Sequence, residues 1–279
     1  MRLPALLSIM VIAGLLRAQD GQGGSKPGWP CVPGRAVDPA YINISESTGG
    51  QLFLFQKNEI SRASLVMSAS YTHPATVLRA LGNLSGSREF EFPVDSRTES
   101  LLVLGSLQCR KSVQVFRPAG SEMTEANSTL SADLQAGKIL RIDNPESGRW
   151  RIRLAGTGLF VISVLAKTDL SLTSVGFFTN SDSSNGEEHG KRLDSPVLGA
   201  QQYVEARLSG QIADLKLQLV DAAGDRIPGA EGQESIAEGR YRTSVTPAVE
   251  RFRVLATGTD ASAWPFQRIY PVLFHAQRK

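Results

Sequence analysis

The sequence predicts a mainly β protein, with two antiparallel β-sandwiches in series behind a small helix–strand–helix segment. From about residue 75 onward, short runs rich in Val, Ile, Leu and Phe recur at intervals of roughly ten residues, which is typical of sandwich strands. In the run RWRIRL, Trp150, Ile152 and Leu154 alternate with three arginines, so one face points inward and the other to solvent. Helical spacing is confined to the residues before 75.

The N-terminus has the pattern of an exported protein. Arg2 precedes the apolar run Leu3–Leu16, which is too short to cross a bilayer about 30 Å thick, and a small residue, Ala18, follows. This pattern predicts a secretory signal peptide at residues 1–18, with a buried N-terminal helix as the alternative. Residues 19–37, rich in Gly and Pro, are predicted to be a linker. No later run approaches membrane-spanning length, so we expect a secreted protein, periplasmic if the source is bacterial.

Residues 38–75 carry the helical signals. Asp38 is predicted to cap a helix with Pro39 in its first position, and the glycine pair of STGG to end that helix. Gln51–Phe55 is predicted to be a short strand covered on both faces, and residues 57–70 to return to helix. Without neighbouring parallel strands, that apolar strand would be left exposed. We therefore expect this segment to be the least stable part of the chain.

After residue 75 the predicted elements are strands. The first sandwich, residues 76–169, is predicted from the runs REFEFPV, SLLVLGSL, SVQVFRP, KILRID, RWRIRL and LFVISVLA. The second, residues 170–279, is predicted from LSLTSVGFF, QYVEARLSG, DLKLQLVD, GRYRTSVT and RFRVLATG, with the polar stretch TNSDSSNGEEHGKRLDSP after the first of these. Strand alternation places Trp150 in the core, against the alternative that it stacks on a sugar ring.

Charge and motif content narrow the classes of function. The net charge is +3 and the basic residues are scattered, whereas a nucleic-acid groove needs clustered Lys and Arg, so no nucleic-acid partner is expected. The three histidines lie far apart, and neither a nucleophile elbow nor a phosphate-cradling loop is present. The sequence therefore predicts no catalytic residues, no cofactor and no enzymatic activity.

One polar loop is a candidate cation site. Its oxygen-bearing side chains Asp182, Asn185, Glu187 and Glu188 are of the type that Ca²⁺ prefers. Their spacing matches no ordered calcium turn, and a solvated loop between strands is the alternative interpretation.

Cysteines and sequons fit an oxidising compartment. Cys31 and Cys109 are the two cysteines, and a disulfide bond between them is a candidate that the spacing alone does not establish. Asn43, Asn83 and Asn127 begin Asn-x-Ser/Thr sequons, which predict glycosylation if the source is eukaryotic.

Trp264 is the candidate ligand contact. It precedes Pro265 in the turn-rich segment DASAWPFQR, where an aromatic side chain is expected to be more exposed than one within a strand. A contact with a satellite core is the alternative.

Several segments together resemble the hemicentin family. AYINISESTGGQLFLFQKNEI is similar to the end of a von Willebrand factor A domain, in which a Ser/Thr-Gly-Gly turn leads into an apolar strand. EFEFPVDSRTESLLVLGSL, RIDNPESGRWRIRLAGTGLFVISVLA and FQRIYPVLF resemble the segments that follow that domain. The resemblance implies an A-domain remnant at 38–75, a galactose-binding-like sandwich at 76–169 and an immunoglobulin-like sandwich at 170–279.

The chain also departs from that family. The Asp-x-Ser-x-Ser metal motif of an A domain would lie before the preserved segment, so we expect no metal binding of that kind and either an N-terminally shortened relative or an incomplete gene model. The predicted function is a secreted, non-enzymatic binding or adhesion module for an extracellular protein or matrix partner. The alternatives are a lectin-like carbohydrate binder and a truncated structural fragment without a ligand.

Overall fold

A computed structural model describes residues 37–55, 57–69, 74–179 and 190–278. The protein is mainly β with antiparallel sheets, as the sequence predicts. The helical elements are α1 (Pro39–Thr48), a 3-10 helix (Lys57–Arg62), α2 (Ala63–Ala69) and a second 3-10 turn (Glu125–Asn127). The strands are β1 (Ala75–Val94), β2 (Ser100–Phe116), β3 (Leu130–Asp133), β4 (Gly137–Asp143), β5 (Gly148–Lys167), β6 (Leu172–Phe178), β7 (Arg192–Leu193), β8 (Gln202–Leu208), β9 (Ile212–Val220), β10 (Arg226–Ile227), β11 (Ala230–Ala237), β12 (Arg240–Val245), β13 (Arg251–Asp260), β14 (Pro265–Ile269) and β15 (Phe274–His275).

The ends of α1 are those that the sequence predicts. The Asp38 carboxylate accepts a hydrogen bond from the backbone N–H of Ala40, and Pro39 begins the helix, where its missing N–H costs no hydrogen bond. Gly49 ends the helix with φ at 74°, a left-handed conformation that glycine adopts without steric strain.

The first sheet contains five antiparallel strands in the order β1-β5-β2-β4-β3. Three of its strands are far longer than the short runs in the sequence, because β1 and β5 have 20 residues each and β2 has 17. Polar residues within these strands, such as those of GNLSGSR, interrupt the apolar pattern without ending the ladder. The predicted separate strands 100–107 and 112–118 are therefore one strand, interrupted only by register shifts.

Glycines let this sheet fold over its own core. Gly86 of β1 pairs with Gly156 of β5, and both have positive φ, at 109° and 146°. A β-carbon on Gly156 would collide with the carbonyl oxygen of Cys109 on the adjacent strand, so the three strands approach closely along this line. Val77 and Phe92, from opposite ends of β1, consequently lie in the same hydrophobic cluster.

Two further sheets face each other in the second half of the chain. The second sheet has the order β10-β9-β13-β14, with β15 paired to β13, and the third has the order β11-β12-β8-β6-β7. A common core fills the space between them, with Val204 and Phe177 from the third sheet and Val254 and Phe266 from the second. Within the described chain, no sheet runs across residue 170.

The second sheet also closes the core of the first. Val220, Leu255 and Ile269 point away from the third sheet and belong to the hydrophobic cluster of the first sheet. The Gln267 side chain donates a 2.8 Å hydrogen bond to the carbonyl of Val77 across this contact. The two halves of the chain therefore share a core, a contact that the prediction of two sandwiches in series does not include. A continuous apolar contact of this kind restrains motion between the halves.

The segment Gln51–Phe55 differs from its prediction. It is extended but pairs with no strand of the described residues, and Leu52, Phe53, Leu54 and Phe55 are all buried. Phe53 and Phe55 pack on the face of the first sheet opposite its main core, and the backbone N–H of Leu54 donates to the hydroxyl of Ser106. The prediction that this segment lacks a covering surface is wrong, because the first sheet supplies one. Burying each of these side chains contributes about 1.5–3 kcal/mol.

A buried ion network fastens α1 to both halves of the chain. Oε1 of Glu46 accepts a hydrogen bond from Arg79 of β1 at 2.9 Å, and Oε2 accepts one from Arg253 of β13. All three side chains are at most 3% exposed. Burial lowers the pKa of Arg253 to about 10, while Glu46 opposes that shift.

Arg79 also closes the C-terminal end of α1. Its guanidinium donates to the carbonyls of Ser45, Gly49 and Gly50, where helix carbonyls lack partners within the helix. One arginine thus holds both the helix end and the buried carboxylate.

We predict that Glu46→Gln lowers the free energy of unfolding by about 3–5 kcal/mol, because it leaves two buried guanidinium groups without a counter-charge. Urea denaturation of the purified protein measures this. Glu250→Gln removes an exposed partner of Arg278 and serves as the control, with an expected change below about 1 kcal/mol. Equal stability of Glu46→Gln and the parent would contradict the network's role.

Trp150 provides a second prediction, since it is 1% exposed and its Nε1 donates to the carbonyl of Glu146. Trp150→Ala should cost roughly 3–5 kcal/mol through the lost transfer energy and the cavity left behind. Trp264→Ala, at an exposed tryptophan, should change the free energy of unfolding by less than about 0.5 kcal/mol. Thermal denaturation compares the two, and a mild Trp150→Ala phenotype would contradict its core position.

Candidate binding surface at the Trp264 turn

The hairpin between β13 and β14 carries an apolar, exposed tip. Asp260 ends β13 and Pro265 begins β14, and residues 261–265 are all exposed. Four of these five residues are Ala, Trp or Pro, and the Trp264 side chain is 44% exposed. We refer to residues 260–265 as the Trp264 turn.

The buried carboxylate of Asp260 fixes the backbone of this turn. Its Oδ1 accepts hydrogen bonds from the backbone N–H groups of Ser262 at 2.8 Å and Trp264 at 2.9 Å. The backbone N–H of Asp260 donates to the carbonyl of Trp264, which closes the hairpin. Ala263 has φ at 63°, a left-handed conformation uncommon for a residue with a β-carbon. The hydrogen bonds on both sides of Ala263 hold it there.

The same carboxylate links the turn to the first sheet. Oδ2 of Asp260 accepts from the backbone N–H of Ser96 at 2.9 Å and from its hydroxyl at 2.6 Å. Burial by itself would raise the pKa of Asp260, but the hydrogen bonds from Ser96, Trp264 and Ser262 outweigh burial and lower the pKa below its usual value. Asp260 is therefore charged at neutral pH although it is buried.

A second buried carboxylate, Asp95, supports the loop that Ser96 belongs to. Its Oδ2 accepts from Nη2 of Arg268 at 2.6 Å, and its Oδ1 accepts from the backbone N–H of Arg97 at 3.1 Å. Arg268 also donates to the carbonyls of Leu170 and Gln267, both at 2.7 Å. Burial lowers the pKa of Arg268, and the adjacent Asp95 opposes that shift. This ion pair lies where the two halves of the chain meet.

Above these buried groups lies an exposed ion pair. The guanidinium of Arg97 donates through Nε to Oδ1 of Asp169 at 3.1 Å and through Nη2 to its Oδ2. The hydrogen bonds from Arg97 lower the pKa of Asp169. We call the Trp264 turn, Arg97 and Asp169 together the junction surface. It combines an aromatic ring with a paired cation and anion on a rigid support.

The remaining predicted modification sites are also on the surface. The sequon residues Asn43, Asn83 and Asn127 are exposed. The Asn127 side chain accepts a hydrogen bond from the backbone N–H of Thr124 and donates one to the carbonyl of Glu122. Whether any sequon carries a glycan stays a prediction.

Other candidates fall partly outside the described residues. Cys109 takes part in a disulfide bond, but Cys31 lies outside the described residues, so the pairing of these two stays a prediction. The candidate calcium ligands Asp182, Asn185, Glu187 and Glu188 also lie outside them. In the part of the chain that the structure does describe, no group of three or more His, Cys, Asp or Glu side chains is placed to hold a metal ion.

Comparison with known proteins adds no family assignment. The chain matches no protein-family model, and it has no significant match to a curated protein. The likeness to hemicentins thus remains an interpretation of the sequence. Among the described helices, none is long and apolar enough to cross a membrane.

Sequence reasoning identified Trp264 but missed the groups that support it. Asp260 and Asp95 read as ordinary acidic turn residues, and Arg268 as one more strand arginine. The string DAS contains a usable signal, because an Asp at a strand end often accepts hydrogen bonds from N–H groups two residues onward. The pairing of Asp95 with Arg268 spans 173 residues and had no local signal.

The charged state of Asp260 makes the stability of the Trp264 turn dependent on pH. Because the folded pKa is below the ordinary value of 3.8, its contribution is complete above about pH 4 and is lost as pH falls through the folded pKa. Asp260→Asn should therefore be less stable than the parent by about 1–3 kcal/mol at pH 7, with the difference shrinking below pH 3.8. Urea denaturation between pH 2 and pH 7 measures both proteins, and a difference that stays constant would contradict the assignment.

Proposed function

We propose that the protein is a secreted, non-enzymatic binding module of hemicentin-like type that recognises an extracellular protein or matrix component through the junction surface. The observation that carries this proposal is the exposed Trp264 ring on a turn fixed by a buried carboxylate. Tryptophan and arginine are the residue types most enriched at the energetic centres of protein interfaces.

Preorganisation explains why such a turn favours binding. An aromatic side chain on a mobile loop loses conformational entropy when it binds, and that loss weakens affinity. The Trp264 turn has already lost that freedom, because Asp260 bonds two of its backbone N–H groups and also Ser96. Trp264 and Arg97 can therefore contact a partner with a small entropic cost.

The finer fold assignments belong to the same proposal. We interpret residues 38–75 as the end of an A domain, 76–169 as a galactose-binding-like unit and 170–279 as an immunoglobulin-like unit. Support comes from the order of α1, the extended QLFLF segment and α2, and from the common core of the second and third sheets. The first sheet bends over its own core, and we interpret its two parts as the two layers of a sandwich.

A lectin-like function is the alternative, and the junction surface also provides an observation in its favour. Sugar rings stack on exposed aromatic faces, and their hydroxyls bond to carboxylate and guanidinium groups such as those of Asp169 and Arg97. Trp150 is buried and does not offer such a face. A structural fragment without a ligand of its own is the third interpretation, and it predicts no binding.

Binding to defined probes distinguishes these functions. We expect the purified protein to bind at least one surface coated with laminin, fibronectin or type IV collagen. Trp264→Ala should weaken that binding at least tenfold without a change in melting temperature, because the side chain is exposed. Ile60→Ala, at an exposed apolar residue of the first 3-10 helix, is the matched control and should bind like the parent.

A glycan array separates the alternatives. Binding to glycans alone, lost in Trp264→Ala, would favour the lectin-like function. Matrix binding that Trp264→Ala leaves unchanged would contradict the role of the junction surface. Failure to bind both the coated surfaces and the array would contradict the binding module and favour the structural fragment.

A further inference from the structure

The sequence contains three pairs of adjacent basic residues, and the fold holds them differently. Lys191 precedes strand β7 and Arg192 begins it, and both residues are exposed. Proteases that cleave after basic residues bind them through carboxylates in their substrate pockets, because a guanidinium and a carboxylate form a strong ion pair. The peptide bond between Arg192 and Leu193 is therefore a candidate for cleavage.

Strand β7 has the shortest ladder of the third sheet. It lies at the end of the order β11-β12-β8-β6-β7 and pairs with β6 at two positions, Phe177 with Leu193 and Phe178 with Arg192. No strand of the described residues lies on its other side. A segment with few backbone hydrogen bonds at a sheet edge opens locally far more readily than the whole protein unfolds.

The backbone at this basic pair presents the groups that a protease contacts. The carbonyl of Lys191 accepts a 2.9 Å hydrogen bond from the backbone N–H of Thr179, and the N–H of Lys191 donates to the Thr179 hydroxyl at 3.0 Å. Alternate residues of an antiparallel strand face opposite sides, so the N–H and C=O of Arg192 face the open edge. Serine proteases place the carbonyl oxygen of the residue before the scissile bond in an oxyanion hole. At Arg192, this carbonyl and the exposed side chain are both accessible.

The residues on either side of the pair show how far β7 has to open. Gly190 has φ at 34°, so the chain turns there, but glycine reaches the extended conformation of a protease substrate without the steric cost of a β-carbon. Leu193 packs partly against the core of the second half and has to leave that contact. Cleavage thus requires local opening of β7 and leaves the other strands of the third sheet paired.

The fold protects another basic pair of the chain. Arg110-Lys111 lies within β2, and Arg110 pairs in register with Gly156 of β5 and forms an ion pair with Asp133. Cleavage there would require a central strand of the first sheet to leave its ladder. The third pair, Arg278-Lys279, includes a residue outside the described ones. Of the two pairs that the structure describes in full, only Lys191-Arg192 lies at a sheet edge.

Buried contacts would hold the two products of cleavage together. Strand β6, before the bond, pairs with β8, after the bond, along Leu172–Phe178. The ion pairs of Glu46 with Arg253 and of Asp95 with Arg268 also join the two sides. Both cysteines of the chain precede the bond, so no disulfide links the products. The cleaved protein would therefore stay folded through noncovalent contacts alone.

We propose that the peptide bond between Arg192 and Leu193 is a cleavage site for a serine protease that recognises paired basic residues, and that the product is a two-chain protein held together noncovalently. The protease serine takes the acyl group of Arg192 while a proton goes to the leaving amine of Leu193, and water then releases the Arg192 carboxylate. Cleavage does not depend on the junction surface. Arg97 lies before the bond and Trp264 after it, so both products contribute to that surface.

Digestion of the purified, folded protein with a kexin-type protease, which cleaves after paired basic residues, tests the proposal. We expect one cut, after Arg192, located by intact-mass measurement and N-terminal sequencing. The cut protein should elute from a size-exclusion column at the volume of the parent and separate into two chains in denaturant. Absence of this cut, an equally fast cut after Lys111, or products that separate without denaturant would overturn the proposal.

Variants of the pair provide the second arm. Arg192→Gln should resist cleavage at this bond and keep the melting temperature of the parent, because its side chain is exposed. Lys191→Gln should slow the kexin-type protease at least tenfold but not trypsin, which requires only the basic residue before the bond. Lys111→Gln, which removes a cation from the protected pair, is the matched control and should be cut after Arg192 at the rate of the parent. Equal cleavage of Arg192→Gln and the parent at this bond would contradict the assignment.

The urea dependence of the cut distinguishes local opening from global unfolding. Local opening of β7 exposes little surface, so the rate of trypsin cleavage after Arg192 in the parent, corrected for the effect of urea on trypsin, should change less than about twofold below the unfolding transition. A rate that rises in proportion to the unfolded fraction would overturn the proposal. Trp264→Ala should be cut like the parent, so failure of the junction surface and failure of the cleavage site are distinguishable.

Discussion

The arrangement of the chain depends on the ion pairs that the buried carboxylate of Glu46 makes. It is paired with Arg79 of the first sheet and Arg253 of the second, so three segments far apart in sequence meet at one group. Burying three charges is costly, and the arrangement is favourable only when every charge has its partners in place. If α1 detached, two arginines would lose their counter-charge and remain in an apolar environment. A segment of about ten residues therefore acts as a structural part of both halves of the protein.

A second set of buried charges joins the two halves of the chain at their other contact. Asp95 and Arg268 pair beneath the surface, and Asp260 bonds both its own turn and Ser96 of the first half. The apolar contact between the sheets brings the two halves together, but apolar contacts have little directional preference. The hydrogen bonds of the buried carboxylates fix the relative positions of the loops. The exposed Trp264 and Arg97 obtain their geometry from these hidden groups.

The proposed junction surface depends on side chains that buried groups hold in place. At the junction surface, a preorganised aromatic ring and an exposed ion pair provide side-chain contacts. Asp260 and Asp95 hold this surface from beneath through their hydrogen bonds to Trp264, Ser96 and Arg97.

The sequence by itself determined the mainly β class, the cap and end of α1, the burial of Trp150 and the exposure of Trp264, because each depends on residues within a few positions of one another. The segments that carry the family resemblance include NPESGRW and FQR. NPESGRW contains the turn that accepts the Trp150 hydrogen bond, and FQR lies in the strand that carries Arg268. Only the tertiary structure decided that the sheets share a core and that QLFLF packs on a sheet without joining one. It also decided that Glu46, Asp95 and Asp260 each find partners in another part of the chain. A local pattern specifies which face of a strand is apolar, but not which surface will cover it. That choice depends on contacts between residues far apart in sequence, and no spacing along the chain records them.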